Sequence, residues 1–229
     1  MVGRQLNWNE YATAWARLHG GFDPRAATPV VRGWLRFSYH LGFLLGRLRV
    51  GPTAVTVVGV LLCLCVPLFA VRPGDGPFLG ALFVLLASVA DSVDGAVAVA
   101  TGRTTRLGYV YDSLADRLGE AAWLVAFWLV GAPGALVAAG GALSWLHEYV
   151  RARAVAAGMR EIGAVTVGER PTRVCVAIGG LLLAGLSGLI EADLAAGTIT
   201  MASAVWVLLA AFGLGQLLSA VRRALIDAG

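Results

Sequence analysis

The sequence predicts an all-α integral membrane protein, with six transmembrane helices and an N-terminal interfacial amphipathic helix. Three observations carry that expectation. Of the 229 residues, 58% are hydrophobic and 14% charged, and the mean hydropathy of +0.76 lies outside the range of soluble domains. The apolar residues gather into segments near the length of ~20 residues that crosses a bilayer. The arginines fall mostly in the short stretches between those segments, as they do in cytoplasmic membrane loops.

Residues 1–50 read as a cytoplasmic or interfacial arm. Their first twenty residues lack the continuous apolar core of a signal peptide, so the N-terminus is expected to stay in the cytoplasm. Within the arm, Trp34, Phe37, Leu41, Leu44 and Leu48 recur at helical spacing, with Arg32, Arg36, Arg47 and Arg49 interspersed. That pattern fits a helix lying in the interface.

Residues 51–229 read as one membrane domain. Its spans are expected near 53–71, 78–100, 107–130, 133–156, 174–190 and 199–218. Sorting the connections to alternate sides gathers nearly all arginines on one of them: the arm, the 101–106 loop, the 151–173 loop and the tail with Arg222 and Arg223. The other side holds Arg72, Asp75, Glu191 and Asp193. Both termini are therefore expected on the cytoplasmic side of a multi-pass inner (cytoplasmic) membrane protein. The net charge of +4 is spent on this topology, and no nucleic-acid partner is expected. Cys63, Cys65 and Cys175 lie inside apolar runs without metal-ligand spacing, and are expected to pack as small hydrophobes.

Four carboxylates break the apolar pattern. An acidic side chain at a span centre costs about 2.5 to 3.5 kcal/mol or more. Asp91 and Asp94 stand at i, i+3 near the end of the second segment, and Asp112 and Asp116 at i, i+4 near the start of the third. Each pair occupies one helix face. The short TGRTTR connection makes the two helices antiparallel neighbours, so all four carboxylates are expected at one depth, just below the cytoplasmic surface. Their mutual repulsion calls for a cation between them. An all-oxygen ligand set favours Mg²⁺ or Mn²⁺ over zinc, and a pair of ions would suit phosphoryl displacement. Gly95, Ala98 and Gly108 lie on or beside the same faces, where small side chains leave room for a ligand or permit close helix packing. Intramembrane carboxylates also line ion pathways, so an ion-coupled carrier is the alternative of another class.

The run Asp91-x-x-Asp94-Gly95-x-x-Ala98, followed by Gly108-x-x-x-Asp112-x-x-x-Asp116, resembles the signature of the CDP-alcohol phosphotransferase family, D-x-x-D-G-x-x-A-R-x(8)-G-x-x-x-D-x-x-x-D. All four aspartates, both glycines and the eight-residue gap match; Val99 stands where the family has arginine. The resemblance implies six transmembrane helices, a homodimer, and transfer of a phosphoalcohol from a CDP-linked donor to an acceptor hydroxyl with release of CMP. It implies that Asp91, Asp94 and Asp112 hold metal, and that Asp116 both contacts metal and is the catalytic base. The segment Pro52-Thr53-Ala54-Val55-Thr56 resembles the family's P-N-x-x-T element, with Thr56 placed to hydrogen-bond the nucleotide. Arg103, one helical turn beyond Val99, is the expected substitute for the missing arginine on the CDP donor, and Arg106 the second choice. An uncompensated loss would point to a member that has lost catalysis.

The stretch EYVRARAVAAGMREIGAVTVGERPTR resembles the Y-x-K-A-R-A and E-R-x-x-R elements of bacterial phosphatidylinositol-phosphate synthases, a branch of that family. Arg151 stands where the branch has lysine, and Arg153, Arg170 and Arg173 match its arginines. Guanidinium groups offer bidentate donors to phosphate, so these four are the expected acceptor site. The implied reaction joins CDP-diacylglycerol to a polar alcohol, a phosphorylated polyol such as inositol phosphate; phosphatidylglycerophosphate synthesis would use such a cluster as well. His147 and Glu148 are expected to serve packing or a local hydrogen bond.

Overall fold

A computed structural model of the chain describes residues 6–18, 20–159 and 166–226. They form eight helices, with no strand among the described residues: α1 Trp8–Leu18, α2 Pro29–Arg47, α3 Pro52–Ala70, α4 Gly76–Thr101, α5 Arg106–Val130, α6 Gly134–Ala156, α7 Arg170–Gly188 and α8 Ala192–Ile226. The six helices from α3 onward overlie the six apolar segments in order, and α8 extends well beyond its segment at both ends. Four of them, α3, α4, α7 and α8, are long and apolar enough to cross a bilayer. Polar residues interrupt the other two, Asp112, Asp116, Arg117 and Glu120 in α5 and His147, Glu148, Arg151 and Arg153 in α6.

The arm holds two helices where one was expected. Asn7 and Glu10 start α1 with a reciprocal pair of caps, each side chain accepting the other's backbone N–H at 3.0 and 2.8 Å. Pro29 begins α2 at a position where a missing N–H costs nothing.

The chain divides into two compact units. The first comprises the chain up to Leu61 together with Leu86–Asp116. In it α2 lies along the second half of α4: a β-carbon on Gly42 would come within 2.7 Å of the Ala96 Cβ, and Trp34 Nε1 donates to Ser92 Oγ at 2.9 Å. Above them α1 closes a cluster in which Tyr11, Ala96 and Val99 are buried, with Leu6, Trp8, Ala14, Trp15 and Tyr39 packed around them. Burial pushes the Tyr11 phenol pKa upward, so it stays neutral. Arg36 stacks over the Trp8 ring, 5.2 Å from its centroid. Gly102, with φ +64°, ends α4, and the Arg103 N–H returns to the Ala98 carbonyl at 2.9 Å.

The second unit comprises Leu62–Leu85 and the chain from Arg117 onward. There α8 packs against both α6 and α7. Small residues allow the approach: Gly180 meets Ala202, and Gly140 meets the Trp206 ring. Trp206 lies edge-on to Phe127 and donates to Ser144 Oγ at 2.9 Å, so its one polar atom is satisfied in the core. Of the cysteines, Cys63 is buried and Cys65 half-buried as expected for packing residues, but Cys175 faces outward from α7.

Candidate metal centre and arginine cluster

The first unit carries the carboxylates. Thr105 caps α5, its hydroxyl accepting the Gly108 N–H at 2.9 Å, and a β-carbon on Gly108 would crowd that oxygen at 3.0 Å. This tight start directs Asp112 and Asp116 along one face of α5. Asp91 of α4 joins them, and one carboxylate oxygen from each of the three lies within 4.8 Å of the others. All three are half-buried. Three hard oxygen donors at that separation suit a divalent cation of the Mg²⁺ or Mn²⁺ type.

Asp94 lies beside this cluster without being one of the three. It is 6% exposed, outside the cluster of three, and its Oδ2 accepts a hydrogen bond from Thr56 Oγ1 at 2.6 Å. Thr56, half-buried, is thus engaged with a carboxylate through its one donor, while its acceptor lone pairs remain. Its hydroxyl also lies 3.1 Å from the Pro52 carbonyl oxygen. Beside them Gly95 is exposed, and a β-carbon there would meet nothing within 4 Å. Ala98 is half-buried on the same face.

Val99 does not look onto that face. Ser92, Ala96 and Val99, at i, i+4 and i+7, form the stripe that packs on the arm, more than a third of a turn round α4 from Asp91, Asp94 and Ala98. The valine is 8% exposed and sits against Tyr11 and its aromatic neighbours. The chain has thus replaced a guanidinium at this position with an apolar contact to α1. Arg103 is exposed, and its Nη1 lies 3.9 Å from where a Gly51 β-carbon would be, at the entrance to α3. Arg106 is exposed at the first turn of α5.

The second unit carries the arginines. Arg173, expected to face a phosphate, is 3% exposed and already engaged at all three nitrogens. Its Nε donates to the Gly168 carbonyl at 2.8 Å, its Nη1 to both oxygens of Glu120 at 2.6 and 2.8 Å, and its Nη2 to Glu148 Oε1 at 2.8 Å. Glu120 is fully buried and also pairs with Arg117 at 3.0 Å. Glu148, for which packing or a local hydrogen bond was expected, accepts that hydrogen bond from Arg173 and also faces two further arginines: Arg117 Nη1 lies 3.8 Å from its Oε1 and Arg151 Nε 3.9 Å from its Oε2. Arg151 also bonds Glu169, which accepts from the backbone N–H and hydroxyl of Thr166 at 3.1 Å each. His147 Nε2 meets Thr166 Oγ1 at 3.0 Å, the local hydrogen bond expected of it. Arg153 is exposed on α6 and Arg170 half-buried at the start of α7. Arg160 lies outside the described residues.

Sequence reasoning passed over Arg117, Glu120, Thr166 and Glu169. The available signal was Glu120, one helical turn beyond Asp116 and as costly in an apolar segment as the aspartates themselves.

Residues 49–214 match the family described as CDP-alcohol phosphatidyltransferase. The phosphatidylinositol phosphate synthase of Mycolicibacterium smegmatis is 36% identical over 173 residues, 72% of this chain and 70% of that one. That of Corynebacterium glutamicum is 34% identical over 151 residues, 62% of this chain and 68% of that one. The crystal structure of the Mycobacterium tuberculosis phosphatidylinositol phosphate synthase in complex with manganese and citrate is similar with a TM-score of 0.64 and 26% identity, covering 80% of this chain and 88% of that one. The same enzyme with CDP-DAG bound gives a TM-score of 0.60 over 80% of this chain and 94% of that one.

Proposed function

The chain belongs to the CDP-alcohol phosphatidyltransferase family, and from that premise we propose that it transfers the phosphatidyl group of CDP-diacylglycerol to a hydroxyl of inositol phosphate, releasing CMP. The observation that carries this reading is the cluster of Asp91, Asp112 and Asp116 within 4.8 Å, built from the family's own spacing. Relatives named phosphatidylinositol phosphate synthase, and the neighbour with CDP-DAG bound, support the choice of donor and acceptor.

Asp91, Asp112 and Asp116 hold a divalent cation, and Asp94 is the remaining carboxylate for a second. Such a cation supplies positive charge for the donor's pyrophosphate; the neighbour crystallised with manganese supports Mn²⁺ beside Mg²⁺. Asp116 accepts the proton of the acceptor hydroxyl. That oxygen then bonds to the phosphatidyl phosphorus, the bond from that phosphorus to the oxygen of CMP breaks, and CMP departs with the electron pair. Gly95, Ala98 and Gly108 leave room for the cytidine diphosphate. Thr56 acts through Asp94, while Arg103, with Arg106 beside it, supplies donor-binding charge in place of the family arginine. Arg151, Arg153, Arg170 and Arg173 bind the acceptor's phosphate.

The same reading takes α3 to α8 as six spans, α1 and α2 as an interfacial N-terminal arm (1–50) before the membrane domain (51–229), and both termini with the active site on the cytoplasmic face of the inner membrane, in a homodimer. The test is CMP release by the purified chain in lipid nanodiscs with CDP-diacylglycerol and inositol phosphate. Release that requires divalent metal supports the reading, and ion flux without nucleotide turnover removes it.

A further inference from the structure

Three arginines of the second unit converge on one carboxylate. Glu148 Oε1 lies 2.8 Å from Arg173 Nη2 and 3.8 Å from Arg117 Nη1, and its Oε2 lies 3.9 Å from Arg151 Nε. The other two carboxylates of the group do different work. Glu120, with a side chain 1% exposed, grips Arg173 through both oxygens and also holds Arg117. Glu169 ties Arg151 to the Thr166 backbone. Glu148 is the most exposed of the three, at 30% against 20% for Glu169. It alone contacts all three guanidiniums.

Glu120, Glu148 and Glu169 each face at least one of the three guanidiniums, so much of their positive charge is already met by carboxylates. Guanidinium groups so paired attract a further anion less strongly. A phosphate dianion carries more charge than a carboxylate and offers more acceptor oxygens to forked donors. Glu148, with 30% of its side chain exposed, has water to move into, whereas Glu120, at 1%, has none. We propose that Glu148 occupies the anion seat formed by Arg117, Arg151 and Arg173, as an internal stand-in for the acceptor phosphate that must swing out before that phosphate binds. This rests on the reading of the arginine cluster as the acceptor site, and it adds Arg117 to that site. Glu148 then sets the threshold of acceptor affinity and keeps the empty cluster from capturing other anions.

The experiment is a titration of the full-length chain in nanodiscs with inorganic phosphate, paired with KM values for inositol phosphate and for CDP-diacylglycerol. Glu148→Gln, which keeps the shape and removes the charge, is expected to bind phosphate about fivefold tighter, the effect of deleting one competing ion pair. It should lower the KM for inositol phosphate by a similar factor and leave the donor KM unchanged. Glu148→Asp, which keeps the charge and retracts it, gives a smaller change in the same direction and serves if the glutamine variant fails to fold. Arg151→Gln weakens phosphate binding. Weaker or unchanged binding in both Glu148 variants, with Arg151→Gln still weakening it, overturns the stand-in role and leaves the acceptor site in place. Phosphate binding indifferent to Arg151→Gln and Glu148→Gln alike overturns the acceptor site as well.

Discussion

Thr56 of α3 donates its hydroxyl to Asp94 of α4 at 2.6 Å, which ties the family's threonine to the signature aspartate that is not among the three within 4.8 Å of one another. A buried carboxylate without a partner is costly, so this bond fixes both helices locally and orients Asp94. Thr56→Val should destabilise the chain by about 1.5 to 3 kcal/mol, the range for a hydrogen bond to a charged group. It should also cut kcat for CMP release by tenfold or more, with Thr56→Ser restoring most of both. Thermal unfolding and turnover measured on the same preparations decide it; a valine variant with full activity removes the orienting role.

The three clustered carboxylates should behave as a set. Asp91→Asn, Asp112→Asn and Asp116→Asn are each expected to weaken Mn²⁺ binding, read by electron paramagnetic resonance titration, and to abolish turnover. Asp94→Asn should abolish turnover with a smaller change in the affinity of the first ion. Equal metal affinity in wild type and Asp112→Asn contradicts the cluster.

The apolar contact at Val99 gives an expectation of its own. Val99→Arg places a charge among Tyr11, Ala96 and the aromatic residues under α1, so it should cost about 3 to 5 kcal/mol of stability. It should not lower the donor KM, since the position faces the arm. Arg103→Ala, by contrast, should raise the donor KM severalfold with little effect on the acceptor.

Glu120 is fully buried between two arginines, and Glu120→Gln leaves Arg173 and Arg117 short of a counter-charge. A loss of about 3 to 5 kcal/mol is expected, checked by chemical unfolding in detergent. Near-native stability would show that the arginines find another partner.

Which parts of this site were legible in the sequence follows from the range of the interactions. The aspartate faces were readable because helical spacing alone decides them, and the six apolar segments because span length does. The hydrogen bond from Thr56 to Asp94 bridges 38 residues and that from Arg173 to Glu120 bridges 53. Nothing local to either partner encodes such a pairing, so the carboxylates that engage Arg173 could not be read from its neighbours in sequence. Val99 read as a hole in the donor site because its neighbour across the fold, Tyr11, belongs to a helix whose apolar face was hidden in a polar segment. Cys175 read as a core residue because an outward-facing position on a membrane helix is as apolar in sequence as an inward one.

Phosphatidyl transfer to a phosphorylated inositol is tested most directly by the lipid it makes. The chain in nanodiscs, given CDP-diacylglycerol, Mg²⁺ or Mn²⁺ and an equimolar mixture of inositol phosphate, glycerol phosphate and inositol, is analysed for its lipid product by mass spectrometry. The account predicts phosphatidylinositol phosphate as the dominant product, with CMP formed in equal amount and none of either with the metal chelated. Phosphatidylglycerol phosphate or unphosphorylated phosphatidylinositol as the dominant product, or no lipid product with metal present, would contradict it.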